Sequence, residues 1–408
     1  MRDTLALVLS GGGAEQMSVL TSERAVSAIP FGGKYRVIDF VLSNCCHSGI
    51  DRVGILTQHA PTSLHDHVGS GRGWNLDRRD ARVLILQPYL TRAHHGAYRG
   101  SADAVARNWD VVSGSRARRT LVLPGDHVYK MDYRGLFQTH EQNEAAVTLA
   151  VAPVPAEETH RFGMVQLDGQ RISGLEEKPR ATTSRLASMG VVLFETAVLG
   201  EALGSSPRDL WVDVLAPLIQ RGERVAVHRF EGYWEDVGTL DTYYRANLDL
   251  LEPRPRLMLD DPEWPILTRD EERPPVTMRP GAEVEGSLVA NGCQVAGRVQ
   301  RSILFPGVKV ERGAEIVDSV VMQDAEVGSG ARIQRAILDK PACVGAGATV
   351  GGSGRELTLI GKYAVVPERA RVGAGAILGV GAGPSDFVAD QVAPGVRIAD
   401  RFELIARP

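Results

Sequence analysis

The feature that most constrains the fold is a run of three 17-residue segments, which align with one another without a gap. They are SILFPGVKVERGAEIVD at 302–318, SVVMQDAEVGSGARIQR at 319–335 and AILDKPACVGAGATVGG at 336–352. Within each segment an aliphatic residue recurs every six positions. In chain order these residues are Leu304, Val310, Ile316, Val321, Val327, Ile333, Leu338, Val344 and Val350, and the stride resumes at Ile360, Val366, Val372 and Leu378.

A stride of six with three steps per repeat predicts a triangular coil, each side of which is a short strand with one aliphatic residue pointing inward. Gly313, Gly330 and Gly347 fall in register, and glycine tolerates the backbone angles that corners need. The segments therefore predict a parallel β-helix at 283–408. A chance alternation in a β-sandwich is the alternative, and three in-register repeats make it the poorer explanation.

The first 252 residues alternate short β-like runs with helix-like stretches such as 102–112. The predicted strands are Leu5–Leu9, Val53–Thr57, Val83–Leu86, Thr120–Leu123, Val147–Val151 and Gly190–Phe194. This alternation predicts an α/β domain with a mostly parallel sheet, where ligands bind beyond the carboxyl ends of the strands. The proline- and acid-rich stretch 253–282 predicts an irregular connector between the two domains.

Charge and cysteine content narrow the range of functions. The net charge of -4 gives no reason to expect nucleic-acid binding. The four cysteines form no CxxC pair, so neither a zinc site nor a disulfide framework is indicated. The apolar runs are too short for a membrane span, and the chain starts without the features of a signal peptide. We expect a cytoplasmic protein with no membrane partner.

The start of the chain raises a specific question. The apolar run Leu5–Leu9 meets Gly11, Gly12 and Gly13, an arrangement typical of loops that wrap phosphate. Yet no Lys or Arg occurs between these glycines and Arg24. A nucleotide bound in such a loop would lack the usual neutralising charge.

Six motifs identify a resemblance. They are IPFGGKYRVIDFVLSNCCHSGI (29–50), YRGSADAV (98–105), LPGDHVYKMDY (123–133), LEEKP (175–179), ASMGVVLF (187–194) and GYWEDVGTLDTYYRANLDL (232–250). Their types and order resemble the bacterial and plant ADP-glucose pyrophosphorylases, also called glucose-1-phosphate adenylyltransferases. The resemblance covers roughly residues 4 to 352. It implies a Rossmann-like nucleotidyltransferase domain followed by a left-handed β-helix.

The resemblance also implies an activity in glycogen or starch precursor synthesis. The family transfers the adenylyl group of ATP to glucose 1-phosphate, forming ADP-glucose and pyrophosphate. Both substrates are anions, so alignment and charge neutralisation are needed. Asp126 and Asp236 match the catalytic carboxylates that hold Mg²⁺. Without the resemblance, each would be interpreted as a turn or helix-cap residue.

Other site residues follow from the same motifs. Lys178 resembles the lysine that binds the sugar phosphate, and Glu177 and Ser188 resemble contacts to sugar hydroxyls. The nucleotide side is implied to include Gly11, Gly12, Tyr98, Gly100 and Asp103. The structural alternative for the last segment is a helix start capped by Ser101. Lys34 and Arg36 resemble residues of an anionic, allosteric effector site, with ordinary surface charge as the alternative.

The glycine loop departs from the family pattern, which reads GGxGxRL and then KPAVPFGG. Ala14 stands where the third glycine belongs, Gln16 where the arginine belongs, and Val26 where the lysine belongs. An arginine that neutralises a phosphoryl transition state contributes roughly 10³–10⁵ in rate. Losing two cations together predicts low or no intrinsic activity. Gln87 and Tyr89 lie near the place of the family's glutamine on the adenine side, and neither is assigned to the base contact.

The sequence therefore favours a catalytically impaired, regulatory subunit in a homo- or hetero-tetramer with an intact homologue. One alternative is a fully active adenylyltransferase in which Arg24 replaces a lost cation. Another is a non-catalytic sensor of sugar phosphate or nucleotide. An acyltransferase using the β-helix is weaker, because the coils contain no histidine. The scattered histidines of the first domain, His59, His65, His67 and His94, show no metal-ligand spacing.

Overall fold

A computed structural model describes residues 1, 3–12, 15–78, 81–90, 96–169, 171–204 and 207–401. The chain folds as two units that are discontinuous in sequence. The first comprises Met1–Gly13, Ile38–Trp234 and Pro262–Arg269, and the second comprises Ala14–Val37, Glu235–Asp261 and Asp270–Pro408. The predicted boundaries at 252 and 282 stay a prediction.

A mixed sheet of nine strands forms the centre of the first unit. Its strands are β1 (Thr4–Ser10), β2 (Arg52–Thr57), β3 (Arg82–Leu86), β4 (Arg119–Pro124), β5 (Val147–Pro153), β6 (Gly163–Asp168), β7 (Arg171–Glu177), β8 (Leu186–Glu195) and β9 (Val225–Arg229). The order is β7-β6-β8-β4-β1-β2-β3, and β5 pairs with β8 and β9. All six strands predicted from the sequence lie within these elements.

Only half of the sheet is parallel, which corrects the expectation of a mostly parallel sheet. Strands β4, β1, β2 and β3 run parallel, as predicted. Strand β8 runs antiparallel to β4, β5 and β6, and β7 runs antiparallel to β6. The link from Asp168 to Arg171 is too short for a crossover, so an antiparallel hairpin is the only connection that it allows.

Helices occur in both units. They are Val37–His47, Thr62–Val68, Ser101–Arg107, Trp109–Gly114, Tyr133–Gln142, Thr196–Ala202, Ala216–Gln220 and Leu240–Asp249, with a π-helix at Leu210–Leu215. Short 3₁₀ helices occur at Glu15–Thr21, Val26–Ala28, Arg72–Trp74, Ala156–Arg161 and Pro384–Asp386. The helix expected over 102–112 is interrupted at Asn108, whose side-chain amide donates to the Ala104 carbonyl at 2.8 Å. Among the described residues, no helix has the length and apolar character needed to cross a membrane.

The second unit contains the predicted left-handed β-helix, which has three parallel sheets. The first face has strands Thr277–Met278, Gln294–Val295, Lys309–Val310, Glu326–Val327, Cys343–Val344 and Val365–Val366. The second face has Glu283–Glu285, Arg298–Gln300, Glu315–Val317, Arg332–Gln334, Thr349–Gly351, Arg371–Val372 and Gln391–Val392. The third face has Leu288–Val289, Ile303–Leu304, Val320–Val321, Ala336–Leu338, Thr358–Ile360, Ile377–Leu378 and Arg397–Ile398.

The six-residue stride predicts the core of this β-helix correctly. Every aliphatic residue named from the stride is buried in one continuous cluster along the axis. The register glycines Gly313, Gly330 and Gly347 have φ of 72°, 68° and 66°, the left-handed region that favours glycine at corners. The fold prediction for this region is confirmed.

The third face of the β-helix is covered by other parts of the second unit. Its outward residues Ile303, Val320 and Ile337 are fully buried. A Cβ at Gly33 would lie 3.4 Å from Ile303 Cγ2, so the segment 15–37 packs directly on this face. The helix Leu240–Asp249 packs here too, with the Tyr244 hydroxyl donating to the Asp318 carbonyl at 2.6 Å. The N-terminal segment after the glycine loop is thus part of the β-helix unit.

Candidate functional site

The carboxyl ends of β1 and β4 lie side by side, because the two strands are parallel neighbours. Gly125 packs against the end of β1, with its N–H donating to the Leu9 carbonyl at 2.9 Å. A Cβ at this position would stand 2.3 Å from Ser10 Oγ, so only glycine fits. This close packing places Asp126 directly beyond the sheet edge at which the glycine loop begins.

Asp126 is an accessible carboxylate. Its side chain is 46% exposed, and its Oδ1 lies 3.7 Å from Nε2 of His127. The indole N–H of Trp234 donates to His127 Nδ1 at 3.1 Å. Because indole nitrogen is only a donor, Nδ1 must accept, and a neutral His127 carries its proton on Nε2, on the side of Asp126. Carboxylate oxygens at such a position suit a hard cation.

The glycine loop leaves open space above β1. A Cβ at Gly11 would lie 3.4 Å from the Gln58 side chain, an ordinary packing distance. Around Gly12, no described atom would lie within 4 Å of a Cβ. A phosphate chain that binds to backbone N–H groups of a loop requires open space of this kind.

The predicted nucleotide-side segment is held by a residue that the sequence reasoning missed. The side-chain amide of Gln58, just after β2, accepts from the Tyr98 N–H and donates to the Tyr98 carbonyl at 3.4 Å. The Tyr98 ring is buried, and its hydroxyl accepts from Asn108 Nδ2 at 2.9 Å. Gln58 lies 40 residues from Tyr98, and no local pattern signals the contact. Gln58 ties this segment to the edge of the sheet.

Gly100 is required by its surroundings. A Cβ there would lie 2.3 Å from the Arg208 carbonyl oxygen. The helix begins at Ser101, and its N-cap is Gly100 without a side-chain cap, so the expected capping by Ser101 is wrong. The Ser101 hydroxyl instead accepts from the Leu210 N–H at 2.9 Å, which anchors the π-helix.

Asp103 is buried between two arginines. Its carboxylate contacts Arg99 Nη2 at 2.8 Å and Arg107 Nε at 2.9 Å. Burial alone would raise the pKa of Asp103, but the hydrogen bonds from Arg99 and the Arg107 charge outweigh burial and lower this pKa. The carboxylate also accepts from the Arg99 N–H at 2.9 Å. Asp103 therefore holds the 98–100 segment, and a direct contact of its own with nucleotide stays a prediction.

On the predicted sugar side, Lys178 combines an exposed side chain with an unusual backbone. It follows β7 with φ 42°, a region that residues with side chains rarely adopt. Its N–H donates to the Phe162 carbonyl at 3.1 Å, which holds the conformation. Strained residues of this kind cluster at functional sites.

The two predicted sugar-hydroxyl residues lie on strands of the same sheet. Desolvation by the surrounding protein raises the pKa of Glu177, the Lys178 ammonium opposes this rise, and the Asp209 carboxylate adds to it. Ser188 lies where the pairing of β8 is irregular, and its hydroxyl accepts from the Gly190 N–H at 3.2 Å. Their contacts to sugar stay a prediction.

Asp236 belongs to the second unit. Its Oδ1 accepts from the Gly238 N–H at 2.8 Å. A Cβ at Gly238 would lie 2.9 Å from that oxygen, so the turn is tight. The turn role that the sequence suggested is therefore present, and the metal role stays a prediction.

The positions that depart from the family pattern differ in their surroundings. Gln16 is exposed, and Val26 is only 5% exposed. Ala14 lies outside the described residues. Arg24, the first Lys or Arg after the glycines in the chain, is 2% exposed, and its Nη2 contacts both oxygens of the fully buried Asp339 at 2.7 and 2.6 Å. Arg24 is thus held in a buried ion pair inside the second unit.

A further lysine lies near one of the two predicted effector positions. Lys34 is exposed at the turn of a hairpin formed by Pro30–Phe31 and Tyr35–Arg36. Sequence reasoning missed Lys340, whose pKa is lowered to about 8 by burial and then by the charge of Arg36. The other charged groups around it are Arg24, Asp339 and Glu271. We name Lys34, Arg36 and Lys340 the basic cluster.

The histidines have local partners. His67 Nε2 lies 2.6 Å from the buried Asp39 Oδ1. His65 contacts Thr57 at 3.1 Å and the Gln87 amide at 3.2 Å. His94 lies outside the described residues. Within the described ranges, no group of three or more His, Cys, Asp or Glu side chains could hold a metal ion.

The predicted site residues do not lie in the cavity of about 840 Å³ found on the first unit. A surface cavity of about 840 Å³ in the first unit is lined by residues such as Leu167, Ile172, Ile219 and Arg229. None of the predicted site residues lines it. The candidate site is a set of strand ends and loops, and the chemistry of its residues identifies it better than its volume.

Comparison with known proteins agrees with this arrangement. The family model named nucleotidyl transferase matches residues 5–253, and the GlmU-like C-terminal hexapeptide model matches residues 276–357. The chain is 45% identical over 409 residues to a glucose-1-phosphate adenylyltransferase of Thermomicrobium roseum, with 95% of each chain covered. It is 42% identical over 329 residues to proteins of the same name from Bacillus cereus and Bacillus anthracis, covering 79% of this chain and 88% of theirs. The chain therefore belongs to the glucose-1-phosphate adenylyltransferase family, and the resemblance seen in its motifs is confirmed.

Proposed function

We propose that this chain is a cytoplasmic subunit of ADP-glucose synthesis, in glycogen or starch precursor metabolism, with impaired adenylyl transfer of its own. It keeps the sugar-phosphate side of the site and modulates an intact homologue within a tetramer. The tetramer and the homologue rest on the family resemblance. The names of the relatives support ATP and glucose 1-phosphate as the ligands.

One observation carries the impaired-subunit proposal. The loop lacks both family cations, and the first Lys or Arg after the glycines in the chain, Arg24, is fully engaged with Asp339 in a buried pair. Moving Arg24 to a phosphate would leave Asp339 as a buried, unpaired carboxylate, which costs several kcal/mol. Gln16 offers a neutral hydrogen bond, and Val26 offers none. These facts disfavour the alternative in which Arg24 replaces a lost cation.

The donor set of the site fits Mg²⁺. This ion prefers carboxylate oxygens and binds through one or two of them together with substrate phosphates and water. Asp126 presents an accessible carboxylate at a strand end. Asp236 is proposed as the second carboxylate from the family resemblance alone. When bound, the ion supplies charge neutralisation at the phosphates. Gly125 fixes where Asp126 stands, through its packing against β1.

The test of the proposal is turnover of the pure protein. With ATP, glucose 1-phosphate and magnesium, we expect pyrophosphate release about 10³-fold slower or more than that of a relative with an intact loop. A second arm adds an intact homologue and measures whether its rate or effector response changes. Rapid turnover in a preparation free of any second subunit would refute the proposal.

The sugar-phosphate side yields a separate prediction. Lys178→Ala should weaken glucose 1-phosphate binding about 10- to 100-fold, because a charge-assisted hydrogen bond contributes about 1.5–3 kcal/mol. Isothermal titration calorimetry measures this directly. Lys309→Ala, which removes an exposed lysine of the β-helix, is the control and should leave the affinity unchanged. Equal affinities for wild type and Lys178→Ala would reject the assignment.

We further propose that the basic cluster binds an anionic effector. Arg36 and Lys340 act on each other electrostatically, and Lys34 lies in the turn of the Arg36 hairpin. Of the two carboxylates near Lys340, Asp339 is paired with Arg24 and Glu271 lies 3.6 Å from Arg273. Anions bind the ammonium form of Lys340, which is lost as pH rises through the pKa of about 8. The affinity for the anion must therefore fall as pH rises.

Sulfate is a suitable probe, because it does not itself titrate near neutral pH. If only the ammonium form binds, sulfate affinity should fall about tenfold between pH 7 and pH 9. Lys340→Gln should bind sulfate weakly and lose this pH dependence. A wild-type affinity that stays constant over this range would remove Lys340 from the effector site.

A further inference from the structure

Three consecutive residues after the glycine loop each bond to a different corner of the β-helix. The Ser22 hydroxyl donates to Asp400 Oδ2 at 2.7 Å, and Glu23 Oε2 accepts from Lys362 Nζ at 2.6 Å. Arg24 contacts both oxygens of Asp339. We name the contacts of Ser22, Glu23 and Arg24 with these corners the clasp.

The corners involved follow three of the last four strands of the third face. Asp339 comes directly after Ala336–Leu338, Lys362 comes shortly after Thr358–Ile360, and Asp400 comes shortly after Arg397–Ile398. Asp400 also accepts from the Val380 N–H at 2.6 Å, so the corner between them is tied in. The clasp therefore runs along the axis of the coil. Its contacts depend on the positions of several corners at once.

The segment just before the clasp is held in an unfavourable conformation. Ser18, within Glu15–Thr21, has φ 50° and ψ -133°, which a residue with a side chain rarely adopts. Such strain persists only where surrounding contacts over-determine it. The buried Met17, Val19 and Leu20 supply some of these contacts, and the clasp fixes the end of the segment.

We propose that the clasp lets the corners of the β-helix set the conformation of residues 15–21, the continuation of the glycine loop. As a route for regulation, this rests on the proposed function. Asp339 also accepts from the Lys340 N–H at 2.7 Å, so the clasp and the basic cluster share one carboxylate and its backbone. An anion that moves this corner acts on Arg24 and thereby on residues 15–21.

Charge reversal at the partly exposed pair Glu23–Lys362 tests the proposal. In the ligand-free protein, Glu23→Lys should speed amide hydrogen exchange in residues 15–21 by about threefold or more, since like charges replace an ion pair. The double variant Glu23→Lys, Lys362→Glu should restore the wild-type rate. The matched control reverses the exposed pair Lys309–Glu326 with Lys309→Glu and should change nothing at 15–21.

Two outcomes would overturn the proposal: unchanged exchange at 15–21 in Glu23→Lys, or failure of the double variant to restore it. Restoration by the swapped pair would show that the Glu23–Lys362 contact itself, and not another effect of the lysine at position 23, governs exchange at 15–21. Because exchange is measured without ligand, it is independent of whether the chain binds nucleotide. A failed turnover proposal and a failed clasp proposal are thus distinguishable.

Discussion

The triple variant Ala14→Gly, Gln16→Arg, Val26→Lys is expected to release pyrophosphate about 10³-fold faster than the natural chain. This corresponds to about 4 kcal/mol of transition-state stabilisation. Gln16→Arg should be tolerated without loss of stability, because Gln16 is already exposed and an arginine there stays in contact with water. Val26 is buried, so a lysine there must lay its stem in the core and extend its ammonium outward. A coupled pyrophosphate assay measures the gain.

Single changes should recover much less than the triple variant, because cations acting on one transition state are not additive. The control is the triple variant with Asp126→Asn, which should lose the gain as the carboxylate is removed. Circular dichroism must show that the triple variant is folded. A folded triple variant that stays inactive would mean that the defect extends beyond the loop and that the intact motifs serve binding alone.

Removing Arg24 should cause a large loss of stability in the second unit. Arg24→Ala leaves the fully buried Asp339 without its partner, and breaking a buried pair in this way costs about 3–5 kcal/mol. Urea unfolding should show a large fall in midpoint. Replacing both partners, as Arg24→Met with Asp339→Leu, should cost much less, because no buried charge is left unpaired.

An exposed pair supplies the comparison. Lys309 Nζ lies 2.7 Å from Glu326 Oε1, a distance similar to that of the Arg24–Asp339 pair. About half of each side chain of the Lys309–Glu326 pair is exposed. Lys309→Ala should therefore change the free energy of unfolding by less than about 1 kcal/mol. Similar losses for Arg24→Ala and Lys309→Ala would show that burial of the Arg24–Asp339 pair does not govern stability.

The β-helix was predictable from the sequence because its rule is local. An inward residue every sixth position and a glycine at a corner follow from the geometry of one coil, as Val327 and Gly330 illustrate. The direction of β8 was not predictable in this way. Its pairing with β4, β5 and β6 depends on which distant strands come together, and the run Gly190–Phe194 carries no mark of direction.

The residues of the candidate site also fall into those that local sequence could predict and those that depend on distant contacts. Asp126 could be placed at a strand end because Leu121–Leu123 precedes it closely in the chain. The enclosure of Asp103 by Arg99 and Arg107 was visible in principle, since each arginine lies four residues from Asp103 in the chain. Gln58 and Asp339 could not be found, because their partners are 40 and 315 residues distant.

The clasp has a consequence for the order in which the chain acquires its structure during synthesis. Ser22, Glu23 and Arg24 leave the ribosome early, but their partners follow 378, 339 and 315 residues later. Most strands of the central sheet can pair long before then, since domains form as units while the chain emerges. The segment after the glycine loop is therefore made among the first and docks among the last, and a chain that ends before Asp339 never supplies the carboxylate that Arg24 needs.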